Sequence, residues 1–220
     1  MDTLTMPQLL ALAAALGWAS GVRLYLVVLI VGLAGYFGWA PLPAGLHVLA
    51  HPVVLAASGF MVFVEFFADK IPGLDSLWDF VHTAIRIPAG AALAASVFGA
   101  DHAVLATVAA LIGGGLAATA HVTKTTTRAA INTSPEPFSN VGVSLAEDGL
   151  VSGGLWLAFT HPLLFGLALL LALALCVWLI RRCWRFLSGL VRKLVRVFAG
   201  RDFTAAPESS EPQLKQGDRV

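Results

Sequence analysis

Residues 162–180 form the sequence PLLFGLALLLALALCVWLI, a run of 19 residues without a charged side chain. A helix of about 20 apolar residues crosses the hydrocarbon core of a bilayer. The residues from 181 to 201 that follow are rich in arginine. An apolar helix that ends in a basic segment is typical of a membrane span with its C-terminal end in the cytoplasm.

The composition of the whole chain agrees with a membrane protein. Of its 220 residues, 58% are hydrophobic and 12% are charged, whereas soluble domains carry about 25% charged residues. This composition excludes an ordinary soluble globular domain. The net charge of +1 gives no basis for a nucleic-acid partner.

Further apolar runs precede this segment, at residues 7–39, 51–68, 84–100, 103–122 and 141–160. They predict an all-α fold, a polytopic transmembrane bundle of about six spans. We expect irregular polar segments near residues 69–83 and 123–140, where prolines and charged residues concentrate.

The first run, residues 7–39, is too long for one upright crossing, since it would form a helix of roughly 50 Å. We therefore expect a broken first helix. The weak point is expected at Gly17, Ser20 and Gly21, because glycine disfavours helix interiors. The sequence leaves open whether this run crosses the membrane once or twice.

The domain organisation follows from the same pattern. Residues 1–182 are expected to form the bundle, and residues 183–200 a basic amphipathic helix at the membrane surface. Such a helix favours a bilayer containing anionic lipids. Residues 201–220, rich in Ser, Pro, Glu and Gln, are expected to be a disordered cytoplasmic tail.

The first polar region is VEFFADKIPGLDSLWDFVHTAIR, from Val64 to Arg86. Glu65 and Asp69 are four residues apart and share a helix face. After Pro72 and Gly73, a second polar stripe comprises Asp75, Asp79, His82 and Arg86. Asp75 also suits a helix cap. Glu65 is surrounded by phenylalanines, so its carboxylate must be paired or protonated.

The second polar region is HVTKTTTRAAINTSPEPFSNVGVSLAEDG, from His121 to Gly149. Its candidate site residues are Lys124, Arg128, Asn140, Ser144, Glu147 and Asp148, to which the isolated Arg23 of the first run is added. Charges inside membrane spans are costly and mark functional sites by default. We therefore expect the two polar regions to meet, either as a site or as ion pairs that only hold helices together.

The acidic pairs also have a metal-binding interpretation. Carboxylates at helical spacing are the oxygen ligands that Mg²⁺ or another divalent cation requires. The candidates are Glu65, Asp69, Asp75 and Asp79. Pairs at this spacing are common on helices, so no cofactor is predicted beyond this divalent cation, and no catalytic residue is assigned.

At these residues the chain resembles the bacterial integral-membrane family described as domain of unknown function 4126. The similarity covers about residues 8–182. The residues that carry it are Ser20-Gly21-Val22-Arg23-Leu24, Glu65, Ala68-Asp69-Lys70-Ile71-Pro72, Asp75, Trp78-Asp79, Ser134-Pro135, Asn140, Ser144 and Glu147-Asp148. The resemblance implies a multi-pass bacterial membrane protein and brings no established activity.

Three functional hypotheses follow. The first is a transporter or channel of the inner membrane for an ion or small polar solute, in which the acidic residues bind a cation or relay protons. Arg23, Lys124 and Arg128 would balance the charge or hold an anionic substrate. The second is a membrane-embedded, Mg²⁺-dependent enzyme that acts on a lipid or prenyl phosphate. The third is a structural scaffold. The sequence gives neither the substrate, the coupling ion nor the oligomeric state.

The distribution of cations predicts the orientation. With the C-terminus in the cytoplasm, the loops around Lys70 and Lys124 lie on the same side. We predict that a cysteine introduced by Thr126→Cys is labelled from the cytoplasm only. A membrane-impermeant thiol reagent measures from which side this cysteine is accessible. Labelling from the periplasm would show that the protein has the opposite orientation.

Overall fold

The structure, a computed structural model, describes residues 4–71, 73–133 and 137–201, and the described residues contain helices and no strands. The helices are α1 (Met6–Tyr36), α2 (Pro52–Ala68), α3 (Leu74–Ser96), α4 (Ala103–Ile131), α5 (Pro137–Thr160) and α6 (Pro162–Arg201). Short 3₁₀ turns, Ala44–Ala50 and Ala100–His102, precede α2 and α4. Prolines stand at the starts of α2, α5 and α6, where a missing N–H costs no helical hydrogen bond.

Helix α1 is broken at Arg23, whose φ of −144° and ψ of 76° are not helical. The break predicted for this run therefore exists, but it lies two residues beyond Gly21. Gly17 and Ser20 remain helical. Small residues mark where helices approach closely, whereas the break itself coincides with the charged residue.

The first arm of α1, residues 6–22, packs along α4 in the same direction. A Cβ atom at Gly17 would collide with the backbone of Gly113, and one at Gly21 would collide with that of Ala117. Only glycine permits this approach. Leu10, near the start of the arm, lines a crevice with Leu105 near the start of α4.

The second arm, residues 24–36, returns towards the end of the bundle where the first arm began. Gly32 lies against the backbone of Leu49, in the turn before α2. Gly45 of the same turn lies against Ser96, the last residue of α3. The two arms therefore form a V with Arg23 at its apex, and both open ends lie near the start of α4.

Three helical segments are long and apolar enough to cross a membrane, namely Met6–Tyr36, Ala100–Ile131 and Pro162–Gly189. The turn Ala44–Ala50 and Pro52–Ala68, bent by 67°, add a fourth if they count as one span. By length and composition the described residues thus contain three or four candidate spans, fewer than the six predicted. Helix α3, which is not among these candidate spans, carries three charged residues within its 23, namely Asp75, Asp79 and Arg86.

The irregular polar segments are shorter than predicted. Helix α3 already begins at Leu74, and α4 continues to Ile131, so most of residues 69–83 and 123–140 is helical. Lys124 and Arg128 are consequently buried in α4 and are not loop cations. Threonine and charged residues are weaker helix formers than alanine, and tertiary contacts override this preference here.

The chain divides into two compact units, Met1–Trp184 and Arg185–Val220. In the first unit, the first arm of α1 supplies much of the apolar core, including Leu12, Leu16 and Ala19. In the second, the described residues 185–201 are helical. The predicted disordered tail, apart from residue 201, lies outside the described residues, and the surface location of residues 183–200 stays a prediction.

We predict that Gly113→Leu destabilises the bundle, because its side chain would collide with the Cβ atom of Ala94 and with the backbone of Gly90. Overpacking of this kind costs about 1–3 kcal/mol. Gly115→Leu is the matched control, since a Cβ there meets nothing within 4 Å. Thermal unfolding in detergent should show a lower midpoint for Gly113→Leu only, and equal midpoints would contradict the packing.

Candidate functional site

A buried lysine lies at the centre of the two polar regions. The Nζ atom of Lys124 is 3.4 Å from Asp79, 3.5 Å from Asp69, 3.5 Å from Glu147 and 3.7 Å from Glu65. These four carboxylates come from α2, the residue after it, α3 and α5. One ammonium group on α4 therefore links three other parts of the chain.

Two arginines, Arg86 and Arg128, form ion pairs with the same four carboxylates. Arg86 donates to Glu65 and, at 2.7 Å, to Asp79. Arg128 donates to Glu147 at 2.9 Å and to Asp69 at 3.2 Å. Each guanidinium group thus bridges two carboxylates, as its planar set of donors allows.

The third arginine, Arg23, joins the cluster from α1. Its Nη1 atom is 2.8 Å from Asp69, and its Nε atom is 3.0 Å from Asp148. Its Nη2 atom donates to the hydroxyl of Ser144 at 2.6 Å. The apex of the V therefore inserts its guanidinium group between α2 and α5.

We call the eight charged residues at the centre the ionic cluster: Arg23, Arg86, Lys124, Arg128, Glu65, Asp69, Asp79 and Glu147. All are at most 8% exposed. With every group ionised, four positive and four negative charges balance. A low dielectric makes any unpaired member expensive, so the balance is a condition for burying the cluster.

Two further carboxylates lie at the rim of the ionic cluster, Asp148 and the fully buried Asp75, which is 3.7 Å from Arg128. Asp148 is 32% exposed at its side chain and contacts Arg23. Asp75 accepts hydrogen bonds from the backbone of Gly73 and Ser76 and from the amide of Asn132. The N-cap residue of α3 is Gly73, and Asp75 lies in the first turn, where its carboxylate accepts from the backbone N–H of that N-cap residue; the same side chain also ties α3 to the end of α4.

The break in α1 supplies a backbone ligand. Lys124 Nζ donates to the carbonyl oxygen of Val22 at 3.2 Å, next to the non-helical Arg23. Interrupted helices with backbone carbonyls turned towards a charged site occur at the ion sites of transporters. Sequence patterns identified Arg23 and Lys124, but a backbone carbonyl leaves no such signal.

Two histidines lie beside the cluster and are hydrogen-bonded. His82 contacts the carbonyl oxygen of Trp78 at 2.9 Å and the hydroxyl of Tyr25 at 3.0 Å. Because a carbonyl only accepts, His82 donates there, and a neutral ring then accepts from Tyr25. His121 contacts the hydroxyl of Thr83 at 2.7 Å. Tyr25 and Thr83 were missed from the sequence because isolated hydroxyls within helices carry no pattern.

Lys70, in the loop between α2 and α3, is outside the ionic cluster. Its Nζ atom donates to the carbonyl oxygen of Phe66 at 3.2 Å and lies over the ring of the same residue. Desolvation by burial lowers the pKa of Lys70.

The expected meeting of the two polar regions is confirmed by the ion pairs of Arg128 with Asp69 and Glu147. Asn140 is linked to a carboxylate through a second amide: it donates to Asn132 at 2.9 Å, and Asn132 donates to Asp75. Within the described ranges, no three His, Cys, Asp or Glu side chains form a group that could hold a metal ion. The role of these residues in binding stays a prediction.

Apolar helices that enclose a balanced set of buried charges define a membrane-type helical bundle with an internal ionic site. The chain belongs to the family described as domain of unknown function 4126, whose model matches residues 10–182. The match ends before the basic segment and includes every member of the ionic cluster. Comparison with curated proteins and with solved structures gives no significant match.

We predict that Arg86→Met destabilises the protein, because Glu65 and Asp79 both lose their arginine partner. Removing one partner from a buried ion pair costs about 3–5 kcal/mol. The control is Arg182→Met on α6, an exposed position. Unfolding in detergent should show a large loss for Arg86→Met alone, and similar midpoints would mean that the cluster contributes nothing to stability.

Proposed function

We propose that this protein is a transporter or channel for an ion or small polar solute, and that the ionic cluster is its binding site. The observation that carries the proposal is the contact of one lysine ammonium with four buried carboxylates at 3.4–3.7 Å. Buried charges in membrane proteins mark ion pathways and proton relays.

The charge distribution favours a cation over an anion. Arg23, Arg86 and Arg128 each contact at least two carboxylates, so each guanidinium group already has anionic partners, while its buried Nε atom has no hydrogen-bond partner among the described residues. Counting the rim, six carboxylates, with Asp75 and Asp148 included, face four cations. An additional proton or metal cation would reduce this excess of negative charge, whereas an anion would increase it.

The enzyme hypothesis has less support. A Mg²⁺ site needs carboxylate oxygens free to approach the metal to about 2.0–2.1 Å. Asp75 is engaged by Asn132 and by backbone N–H groups, and Glu65 Oε1 by Arg86, whereas Glu65 Oε2 is unpartnered. Among the described residues no three acidic, His or Cys side chains are grouped so that they could hold a metal ion. Metal-dependent turnover of a lipid phosphate by the purified protein would favour the enzyme over the transporter.

The membrane arrangement is part of the same proposal. We propose an inner-membrane protein with about six spans, a cytoplasmic C-terminus and residues 183–200 on an anionic lipid surface. The alternation of apolar helices and the arginines after residue 180 support it. The V of α1, with both arms opening towards the start of α4, favours two passages through the bundle by this helix.

We predict that Glu65→Gln leaves the protein folded and inserted but abolishes its transport activity. Glutamine keeps the shape of the side chain, and Arg86 retains Asp79 as a partner. The measurement is flux of H⁺, Na⁺, K⁺ and small polar solutes into proteoliposomes.

The matched control is Asp101→Asn, an exposed acidic position outside the cluster, which should transport like the unmodified protein. Unchanged flux for Glu65→Gln would show that the charge of Glu65 is not needed for transport. Loss of folded protein in detergent would favour the scaffold hypothesis, in which the cluster only holds the helices together.

A further inference from the structure

A partly open crevice lies between α1, α5 and α6, and none of the described residues that line it is charged. It has a volume of about 200 Å³. Its lining includes Trp18 of α1, Gly149, Gly153 and Gly154 of α5, and Phe165 and Ala172 of α6. Both α1 and α6 are long and apolar enough to cross a membrane. In a bilayer the molecules that reach this crevice are therefore lipids.

Glycines of α5 leave the space for the crevice. A Cβ atom at Gly149 or Gly153 would meet nothing within 4 Å, and the two residues, four apart, share a helix face. Gly17 and Gly113 differ, because a Cβ atom at either would collide with a neighbouring helix. Gly149 and Gly153 thus serve no close helix contact, and their missing side chains leave room for a ligand.

Trp18 brings an unpaired hydrogen-bond donor to this apolar surface. The residue is 8% exposed, and its ring lies 3.7 Å from the position of a Cβ atom at Gly154. The indole Nε1 is buried and has no hydrogen-bond partner among the described residues. A buried indole N–H normally has an acceptor, and leaving one unsatisfied in hydrocarbon is costly. The crevice therefore suits an apolar molecule that carries a hydrogen-bond acceptor.

The position of the crevice along α6 indicates the depth of that acceptor in a bilayer. Helix α6 begins at Pro162, so Phe165, which lines the crevice with Trp18, lies about 5 Å along it. Trp156, 61% exposed, lies near the same end of α6, and tryptophans concentrate where hydrocarbon meets the lipid headgroups. At this boundary phospholipids carry their ester carbonyl groups. Ala172 lies about 10 Å further along α6, towards the bilayer centre.

We propose that this crevice binds one acyl chain of a bilayer phospholipid, whose ester carbonyl accepts a hydrogen bond from Trp18 Nε1. The chain extends from Phe165 towards Ala172, over the open face of Gly153 and Gly149. Because the described lining carries no charge, the site recognises the ester group and the chain rather than the headgroup. The site uses no residue of the ionic cluster and is independent of the transport function proposed above.

The first test compares two phosphatidylcholines with identical chains, one ester-linked and one ether-linked. The ether lipid lacks the carbonyl oxygens, and the zwitterionic headgroup limits attraction to the arginines after residue 180. Each lipid is added to the purified, delipidated full chain in detergent, and thermal unfolding is measured, since a ligand that binds the folded state raises the midpoint.

We expect both lipids to raise the midpoint of the unmodified protein. The ester lipid should reach half of its effect at a roughly fivefold lower mole fraction, the factor that one hydrogen bond contributes. Equal half-effects for the two lipids, or no rise with either, would overturn the proposal.

Trp18→Phe isolates the hydrogen bond. Phenylalanine keeps an aromatic ring but has no N–H group, so the two lipids should become equivalent while both still raise the midpoint. A fivefold preference for the ester lipid in this variant would contradict the role of Trp18. Where the variant does not fold, the next substitution decides.

Gly153→Leu tests the crevice without altering Trp18. Leucine is a better helix former than glycine and its side chain would occupy the crevice, so this variant should fold and lose the rise with both lipids. The matched control is Gly115→Leu on α4, where a Cβ atom also meets nothing within 4 Å. It should respond like the unmodified protein. A rise retained in Gly153→Leu would overturn the proposal.

Native mass spectrometry of the same samples counts the bound lipids and the protein chains. The unmodified protein and Gly115→Leu should each retain one more ester lipid than Gly153→Leu. Equal lipid counts would overturn the site. A dimer of the unmodified protein that Gly153→Leu dissociates would assign the crevice to a second copy of the chain and would also overturn the proposal.

Discussion

The mutual neutralisation of eight buried charges is the constraint on which the rest of the structure depends. Each cation contacts a carboxylate from another part of the chain, so none of the helices α1 to α5 can leave the bundle without exposing an unpaired charge in its neighbours. Breaking such pairs is far more costly than forming them is favourable. The cluster therefore specifies which helices meet, while apolar packing supplies the stabilisation.

The V shape of α1 follows from this constraint. A straight helix would carry Arg23 past Asp69 and would keep the carbonyl of Val22 within its own hydrogen-bond ladder. The break at Arg23 brings the guanidinium group to Asp69 and the carbonyl to Lys124. The glycines of the first arm let α1 and α4 approach closely enough for both contacts.

Sequence patterns predicted the class of fold and the residues of the cluster because both depend on local signals. Apolar runs gave the starts of α2, α4 and α6 to within one residue, and helical spacing placed Glu65 with Asp69 on one face. The end of α4 and the break at Arg23 were misplaced because tertiary contacts of Lys124, Arg128 and Arg23 determine them. Which cation pairs with which carboxylate could not be predicted, since several carboxylates lie within reach of each cation.

The choice of side chains indicates that the ionic cluster does more than hold the helices together. Arginine makes the closer and more specific contacts with carboxylates, and it occupies the three positions that bridge pairs of them. If the cluster only held the helices together, a fourth arginine in place of Lys124 would make the closer contacts. Instead, the position within 3.4–3.7 Å of all four carboxylates carries a lysine, whose Nζ atom lies further from each of them than the arginines lie from their nearest carboxylate oxygens. The three arginines thus link the carboxylates by close contacts around one central cation that is bound by longer ones.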